Sequence, residues 1–230
     1  LGRKTFTTTF AGRPLTLEVS QLAGQASAAV LGTYDQTTVL ATVVMRDFDK
    51  QVGYFPLSVE YEERFYAAGK IIGSRYVRRE GRPSEEAVLS GRLVDRTIRP
   101  LFDHRMRRDV QVVITTISLE EETDPDFLAL LTASAALAIS KIPWNGPVAG
   151  VKVMKRHGAD EIVINPKNSE VAAGFELTAF VAGTEGRINM VELEGDEAPE
   201  QSEVAAFEAA QREINTLVAW QQHVFREIGK

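Results

Sequence analysis

The 230-residue sequence contains no cysteine, which rules out disulfide bonds, thiolate metal ligands and a cysteine nucleophile. Its three histidines, His104, His157 and His223, are more than fifty residues apart, so their spacing suggests neither a metal cluster nor a Ser-His-Asp arrangement. No apolar run approaches the roughly 18 to 20 residues that a membrane-spanning helix needs. These absences predict a cytoplasmic protein that has no membrane partner.

The acidic chain nevertheless concentrates its arginines in one segment. The formal net charge is -6, yet residues 75–108 hold ten arginines and no lysine against five acids. That segment therefore carries +5 and the rest of the chain -11. A local basic patch on an acidic body is typical of a protein that attracts a polyanion at one place, whereas a solvated, salt-bridged surface is the alternative. The exclusive use of arginine favours bidentate contacts with phosphate.

The remaining patterns predict a single α+β domain with mixed sheets. Asp124 and Pro125 mark the start of a buried helix over 125–141, and an alanine-rich charged helix runs from Pro199 to the end. Strands before, between and after the buried helix complete the pattern. The predicted strands are 4–10, 15–19, 26–34, 37–45, 55–65, 110–119, 148–155, 161–165, 175–183 and 187–195.

A second helix carries part of the arginine segment. Ser84 is a suitable N-cap for a helix that ends before Pro100. At about 100° per residue, Arg92, Arg96 and Arg99 fall within about 60° of one another and share one face. Three cations on one face repel each other unless an anion or carboxylates lie between them.

The loop before this helix combines cations with one aromatic residue. Gly73, Gly81 and Pro83 predict an irregular backbone there. Tyr76 suits stacking on a base while neighbouring arginines neutralise phosphates, which is how single-stranded nucleic acid is held without sequence preference. A lone tyrosine in the core or in a hairpin is the alternative. The candidate nucleic-acid-binding residues are Arg75, Tyr76, Arg78, Arg79 and Arg82.

Three segments resemble a known family. The sequence FPLSVEYEERFYAAGKIIGSRYVRREGRPSEEAVLSGRLVDRTIRPLF at 55–102 is similar to the first RNase PH-like domain of bacterial polynucleotide phosphorylases (polyribonucleotide nucleotidyltransferases), and 133–153 and 180–195 continue the similarity. The resemblance implies an RNase PH-like fold of the ribosomal protein S5 domain 2 type over 1–198. Residues 199–230 then form a C-terminal helix that leads towards the family's helical linker.

The resemblance also implies an activity and its partners. Such proteins degrade RNA from the 3′ end with inorganic phosphate, release nucleoside diphosphates and act in mRNA decay. They form ring-shaped homotrimers around single-stranded RNA, and RNA degradosome proteins are further expected partners. Mg²⁺ or Mn²⁺ is expected in the second domain of the full-length enzyme and none in this chain. Because the chain starts at Leu1 without methionine, it is expected to be a piece of a longer protein.

Family motifs that carry the chemistry are altered here. Where the catalytic copy of the domain has two aspartates and a lysine, this sequence has Glu176, Thr178 and Phe180. The serine run that grips phosphate in that copy is replaced by Asp124-Pro125-Asp126, whose two carboxylates would repel phosphate. A phenylalanine offers no oxygen ligand to Mg²⁺. The resemblance therefore implies a catalytically silent domain.

The same resemblance assigns roles to the arginines. Arg92, Arg96 and Arg99 match helix arginines that face the phosphorolytic site, and Arg78, Arg79 and Arg82 match arginines that contact RNA in the channel. The loop at 73–79 departs from the family because it is one residue longer and has one aromatic residue instead of two.

Two other functions compete with this one. A non-catalytic ring subunit of an exosome-like assembly would bind RNA without an attached catalytic half. A stand-alone RNase PH-type enzyme that trims tRNA 3′ ends would need the acidic and phosphate-binding residues that are missing here.

Overall fold

The first half of the chain builds a six-stranded sheet. The computed structural model describes residues 2–71 and 81–228. The strands follow the spatial order β1-β2-β3-β4-β6-β5, and β5 is parallel to β6 whereas the other neighbours are antiparallel. They are β1 (Lys4–Phe10), β2 (Arg13–Val19), β3 (Ala28–Tyr34), β4 (Thr37–Asp49), β5 (Leu57–Glu62) and β6 (Arg108–Ser118).

The second half builds a four-stranded antiparallel sheet in the order β10-β9-β7-β8. Strand β9 is buried along almost its whole length, whereas the edge strand β10 is mostly exposed. The strands are β7 (Ala149–Lys155), β8 (Ile162–Ile164), β9 (Leu177–Thr184) and β10 (Arg187–Gly195).

Helices join and cover the two sheets. The longest, α4, lies against β7 and β9, whereas α1 lies against β5. In the described part of the chain, no helix is both long and apolar enough to cross a membrane. The helices are α1 (Glu85–Ile98), α2 (Pro125–Ile139), α3 (Asn168–Ala172) and α4 (Glu200–Ile228), with 3₁₀ turns at Phe65–Ala68 and Arg99–Leu101.

Helix α2 forms the centre of the core. The Asp124 side chain accepts a hydrogen bond from the backbone N–H of Asp126, so the predicted N-cap is confirmed. Side chains from Phe127 to Leu137 are all buried, in agreement with the continuously apolar sequence. Gly32 lets β3 approach this helix, because a Cβ atom there would lie 2.1 Å from Thr132 Oγ1.

The α+β fold class predicted from the sequence is confirmed, with differences in detail. The strand predicted at 55–65 ends at Glu62, the last residue of β5 that pairs with β6. A 3₁₀ turn follows, and Gly69 closes it at a φ of +65°. Strand β4 runs four residues beyond the predicted end, to Asp49. Helix α3 was not predicted, since its five residues are too few for a periodic signal.

Buried polar contacts connect α4 to the rest of the molecule. Ser134 Oγ donates to Gln221 Oε1 at 2.8 Å, and Gln221 Nε2 donates to the Val148 carbonyl at 2.8 Å. The Val148 N–H donates back to Ser134 Oγ at 3.0 Å, so the three residues form a closed ring of hydrogen bonds. This ring joins α2, the start of β7 and α4. The boundary at residue 198 between domain and C-terminal helix stays a prediction.

Replacing Gln221 tests how firmly α4 is attached. Gln221→Ala is expected to lower the free energy of unfolding by about 2–4 kcal/mol, because it leaves the Val148 carbonyl and the Ser134 hydroxyl buried without their partner. The exposed neighbour Gln222 provides a matched control, and Gln222→Ala should change stability by less than about 0.5 kcal/mol. Urea unfolding followed by circular dichroism measures both. Equal effects of the two substitutions would contradict a role of the Gln221 hydrogen bonds in holding α4 to the rest of the molecule.

Candidate functional site

Helix α1 presents two arginines to solvent. Ser84 caps the helix as predicted, because its hydroxyl accepts a hydrogen bond from the Ala87 N–H at 2.9 Å. Arg92 and Arg96 follow one turn apart and are both exposed. Among residues 2–71 and 81–228, neither guanidinium group makes a hydrogen bond or an ion pair. Within the described part of the chain, the two cations therefore have no carboxylate that neutralises them.

Arg99 differs from these two. Its Nε donates to Asp95 Oδ1 at 2.6 Å, its Nη2 contacts Asp95 Oδ2 at 2.5 Å, and Nη2 also donates to the Leu57 carbonyl at 3.1 Å. These contacts raise the pKa of Arg99, chiefly through the hydrogen bonds with Asp95. The helix face predicted to offer three guanidinium groups offers two, since Arg99 ties the end of α1 to the start of β5.

Arg82, the described candidate residue of the arginine-rich loop, lines a large cavity. Of its candidate residues, Arg82 is described and exposed, whereas Arg75, Tyr76, Arg78 and Arg79 lie outside the described residues. The cavity beside Arg82 has a volume of about 580 Å³, and Tyr61 and Thr116 also line it. The role of the five candidate loop residues in holding nucleic acid stays a prediction.

A second pocket lies beside the start of α2 and the strands β9 and β10. We call it the acidic pocket; its volume is about 290 Å³. The structure brings together Asp124, Asp126, Thr178 and Phe180, the residues that the sequence marked as altered. The lining residues are Leu93, Asp124, Asp126, Lys152, Thr178, Ala179, Phe180, Glu192, Leu193 and Glu194.

Glu176, the one acid that the altered motif retains, lies elsewhere. Its carboxylate accepts two hydrogen bonds from Lys155 Nζ, at 2.8 and 3.0 Å, and Lys155 Nζ also contacts Ser202 Oγ at 2.9 Å. The hydrogen bonds from Lys155 lower the pKa of Glu176, and a contact with Ser202 adds to this. Glu176 therefore joins β7 to the start of α4 and does not line the acidic pocket.

The two aspartates at the start of α2 have different surroundings. Asp124 caps the helix and pairs with Lys152, whose Nζ lies 2.8 Å from Asp124 Oδ2. The Asp126 side chain is half-buried. Its Oδ1 atom is inaccessible to solvent and accepts no hydrogen bond from the described residues. Burial raises the pKa of Asp126 to about 7, and the charge of Asp124 adds to the effect. The Ser90 hydroxyl and Lys152 lower it by less.

Sequence reasoning missed Lys152, Glu192 and Glu194. Glu192 and Glu194 alternate along β10 and so share one face, which is the signal that could have found them. Strand pairing places Glu192 and Lys152 on either side of Phe180, and Glu194 beside Thr178. Within residues 2–71 and 81–228, no group of three or more acidic or histidine side chains is arranged to hold a metal ion.

Two sheets pack around the central helix α2, and the acidic pocket lies at the N-terminus of this helix. This architecture is that of a domain of the RNase PH type. The chain belongs to the 3′ exoribonuclease family: residues 11–143, more than half of the chain, match domain 1 of that family. The fold agrees, because the crystal structure of rice Rrp46 superimposes with a TM-score of 0.72 at 12% identity, over 97% of this chain and 95% of that one.

Curated relatives with similar sequences indicate a narrower family than the fold does. A polyribonucleotide nucleotidyltransferase of Exiguobacterium sibiricum is 45% identical over 228 residues, which are 99% of this chain and 30% of that protein. One from Bacillus mycoides is also 45% identical over 228 residues, 99% of this chain and 31% of that protein. The resemblance predicted from the sequence is confirmed. The chain spans about a third of the length of the curated relatives that it matches.

Proposed function

We propose that this chain is the RNA-holding, non-catalytic first core domain of a phosphorolytic 3′-to-5′ exoribonuclease. The observation that carries the proposal is the exposed pair Arg92 and Arg96 on α1, which has no partner among residues 2–71 and 81–228. A neighbouring pocket has acids and a phenylalanine where phosphate and metal would bind in a catalytic copy. The relatives' printed name, polyribonucleotide nucleotidyltransferase, supports the reaction class.

The reaction needs charge neutralisation more than it needs a protein nucleophile. An oxygen of inorganic phosphate attacks the phosphorus of the last phosphodiester, and the bond to the 3′ oxygen of the preceding nucleotide breaks. The products are a nucleoside diphosphate and an RNA shortened by one residue. Two guanidinium groups one helical turn apart offset negative charge on the substrate and on the transition state, and guanidinium is suited to bidentate phosphate contacts.

In the proposed assembly the chemistry is completed outside this chain. The second RNase PH-like domain supplies Mg²⁺ or Mn²⁺ and the phosphate site, while this domain lends Arg92 and Arg96 from its surface and Arg82 from the loop. Three copies form a ring around single-stranded RNA in the cytoplasm. Phosphorolysis and channel binding are thereby divided between two similar domains of one polypeptide.

An activity assay of the 230-residue chain tests the division. Incubation with poly(A), inorganic phosphate and Mg²⁺ is expected to release no ADP, because the acidic pocket repels phosphate and lacks clustered metal ligands. The full-length protein from the same gene, assayed in parallel, should release ADP in a phosphate-dependent way. ADP release by the chain alone that requires the metal would overturn the proposal.

A further inference from the structure

The acidic pocket has an unbalanced charge. Four carboxylates line it, and the one cationic side chain among its described lining residues is Lys152. Asp124 already takes the Lys152 ammonium group at 2.8 Å. Asp126, Glu192 and Glu194 therefore remain without a cation from the described part of the molecule, and like charges confined in one pocket repel each other.

The geometry separates these acids into two groups. Glu192 and Glu194 stand on the edge strand β10, opposite Phe180 and Thr178 of β9. Asp126 approaches from the start of α2, and its buried Oδ1 accepts no hydrogen bond within residues 2–71 and 81–228. The pocket thus has a half-buried carboxylate at one side and two exposed carboxylates at the other.

Apolar side chains line the space between the two groups. Leu93 of α1 and Phe180 of β9 belong to the pocket wall. A ligand that matches the pocket has cationic ends and an apolar middle. A metal ion matches less well, because the acids are not clustered around one point.

We propose that the acidic pocket binds an aliphatic polyamine. One ammonium group pairs with the Asp126 carboxylate, a second lies between Glu192 and Glu194, and the methylene chain covers Phe180 and Leu93. Ammonium groups are strong donors to carboxylates, and a methylene stem readily lies along apolar surface. The site is independent of the proposed RNA-holding role and takes a ligand of opposite charge to RNA.

Proton release accompanies binding. The charged and polar groups around Asp126 are Asp124 at the start of α2, Lys152 on β7, Glu192 on β10, Tyr61 on β5 and Ser90 on α1. Because the pKa of Asp126 is raised to about 7, part of this carboxyl is protonated near neutral pH. An ammonium ion stabilises the ionised form, so binding is tighter at pH 8 than at pH 6 and releases protons near pH 7.

Calorimetric titration of the 230-residue chain with spermidine tests the site, with NaCl and MgCl₂ at equal ionic strength as comparisons. Asp126→Asn is expected to weaken spermidine binding at pH 8 by about tenfold or more, since one charge-assisted hydrogen bond is lost. It should also abolish proton release, measured in two buffers of different ionisation enthalpy. Glu185→Gln removes the same charge from the exposed β9–β10 turn and should change the affinity by less than about twofold.

The outcomes separate the alternatives. Weaker binding in Asp126→Asn alone, with no response to NaCl, supports the polyamine site. Equal binding by the wild-type chain and both variants would show non-specific attraction to an acidic protein. A response to MgCl₂ that depends on Asp126 and equals the response to spermidine would show a metal site. Either of these last two results overturns the proposal.

Discussion

Replacing Arg92 and Arg96 together by alanine is expected to lower phosphorolysis by the full-length protein by about 100-fold or more. Each guanidinium group would lose a charge-assisted contact with phosphate, and such contacts contribute about 1.5–3 kcal/mol each. The same change should reduce the salt dependence of RNA binding, because each phosphate contact contributes about 0.7 to the slope for a single strand, or about 1.4 for the pair. Phosphorolysis of oligo(A) and a salt titration of its affinity give the two measurements.

Two control substitutions sharpen this test. Arg105 belongs to the same arginine-rich segment, is 90% exposed and pairs with Asp103, so Arg105→Ala should leave activity within about twofold. The double replacement by lysine keeps both charges but loses bidentate geometry, and its activity should fall between wild type and the alanine variant. If the alanine pair keeps wild-type activity and salt slope, α1 lies away from the RNA and the proposed function loses its main support.

The arginine face shows which features of a helix can be predicted from its periodicity and end signals. The i, i+4 spacing of Arg92 and Arg96, the Ser84 cap and the end near Pro100 were all predictable from the sequence. The pairing that withdraws Arg99 from the free arginine face could be predicted only in part. Asp95 precedes it by one turn, but the carbonyls of Phe55 and Leu57 lie just before and at the start of β5, which only the tertiary structure brings near.

The acidic pocket shows which site residues cannot be predicted from the sequence. The altered motifs on α2 and β9 indicated Asp124, Asp126, Thr178 and Phe180, because each motif is a short, contiguous stretch. The contributions of Lys152 and Glu192 depend on β7 and β10 flanking β9, and the order of strands across a sheet is not written in any single strand. The burial of the Asp126 carboxyl likewise depends on its packing beneath neighbouring elements.

The raised pKa of Asp126 makes the stability of the protein depend on pH. Its pKa is about 7 in the folded chain, against about 3.9 in an unfolded one, so the folded state disfavours the ionised carboxyl. With respect to this group, the protein is most stable below about pH 4 and loses stability as the pH rises towards about 7. Above the folded pKa the penalty stays constant. Asparagine keeps the shape of the side chain and removes the charge.

Asp126→Asn is therefore expected to stabilise the chain at pH 8 by about 2–4 kcal/mol, where three pKa units would set the upper end and partial exposure lowers it. At pH 5 the gain should shrink to about 1 kcal/mol, because the wild-type carboxyl is then mostly protonated in the folded state. Urea unfolding of both proteins at the two pH values measures the difference. Asp124→Asn is the contrasting variant. It keeps the cap and relieves some repulsion at Asp126 but loses the ion pair with Lys152, so any gain at pH 8 should be smaller than that from Asp126→Asn. A gain from Asp126→Asn that is the same at both pH values would show that packing, and not the buried charge, determines its effect.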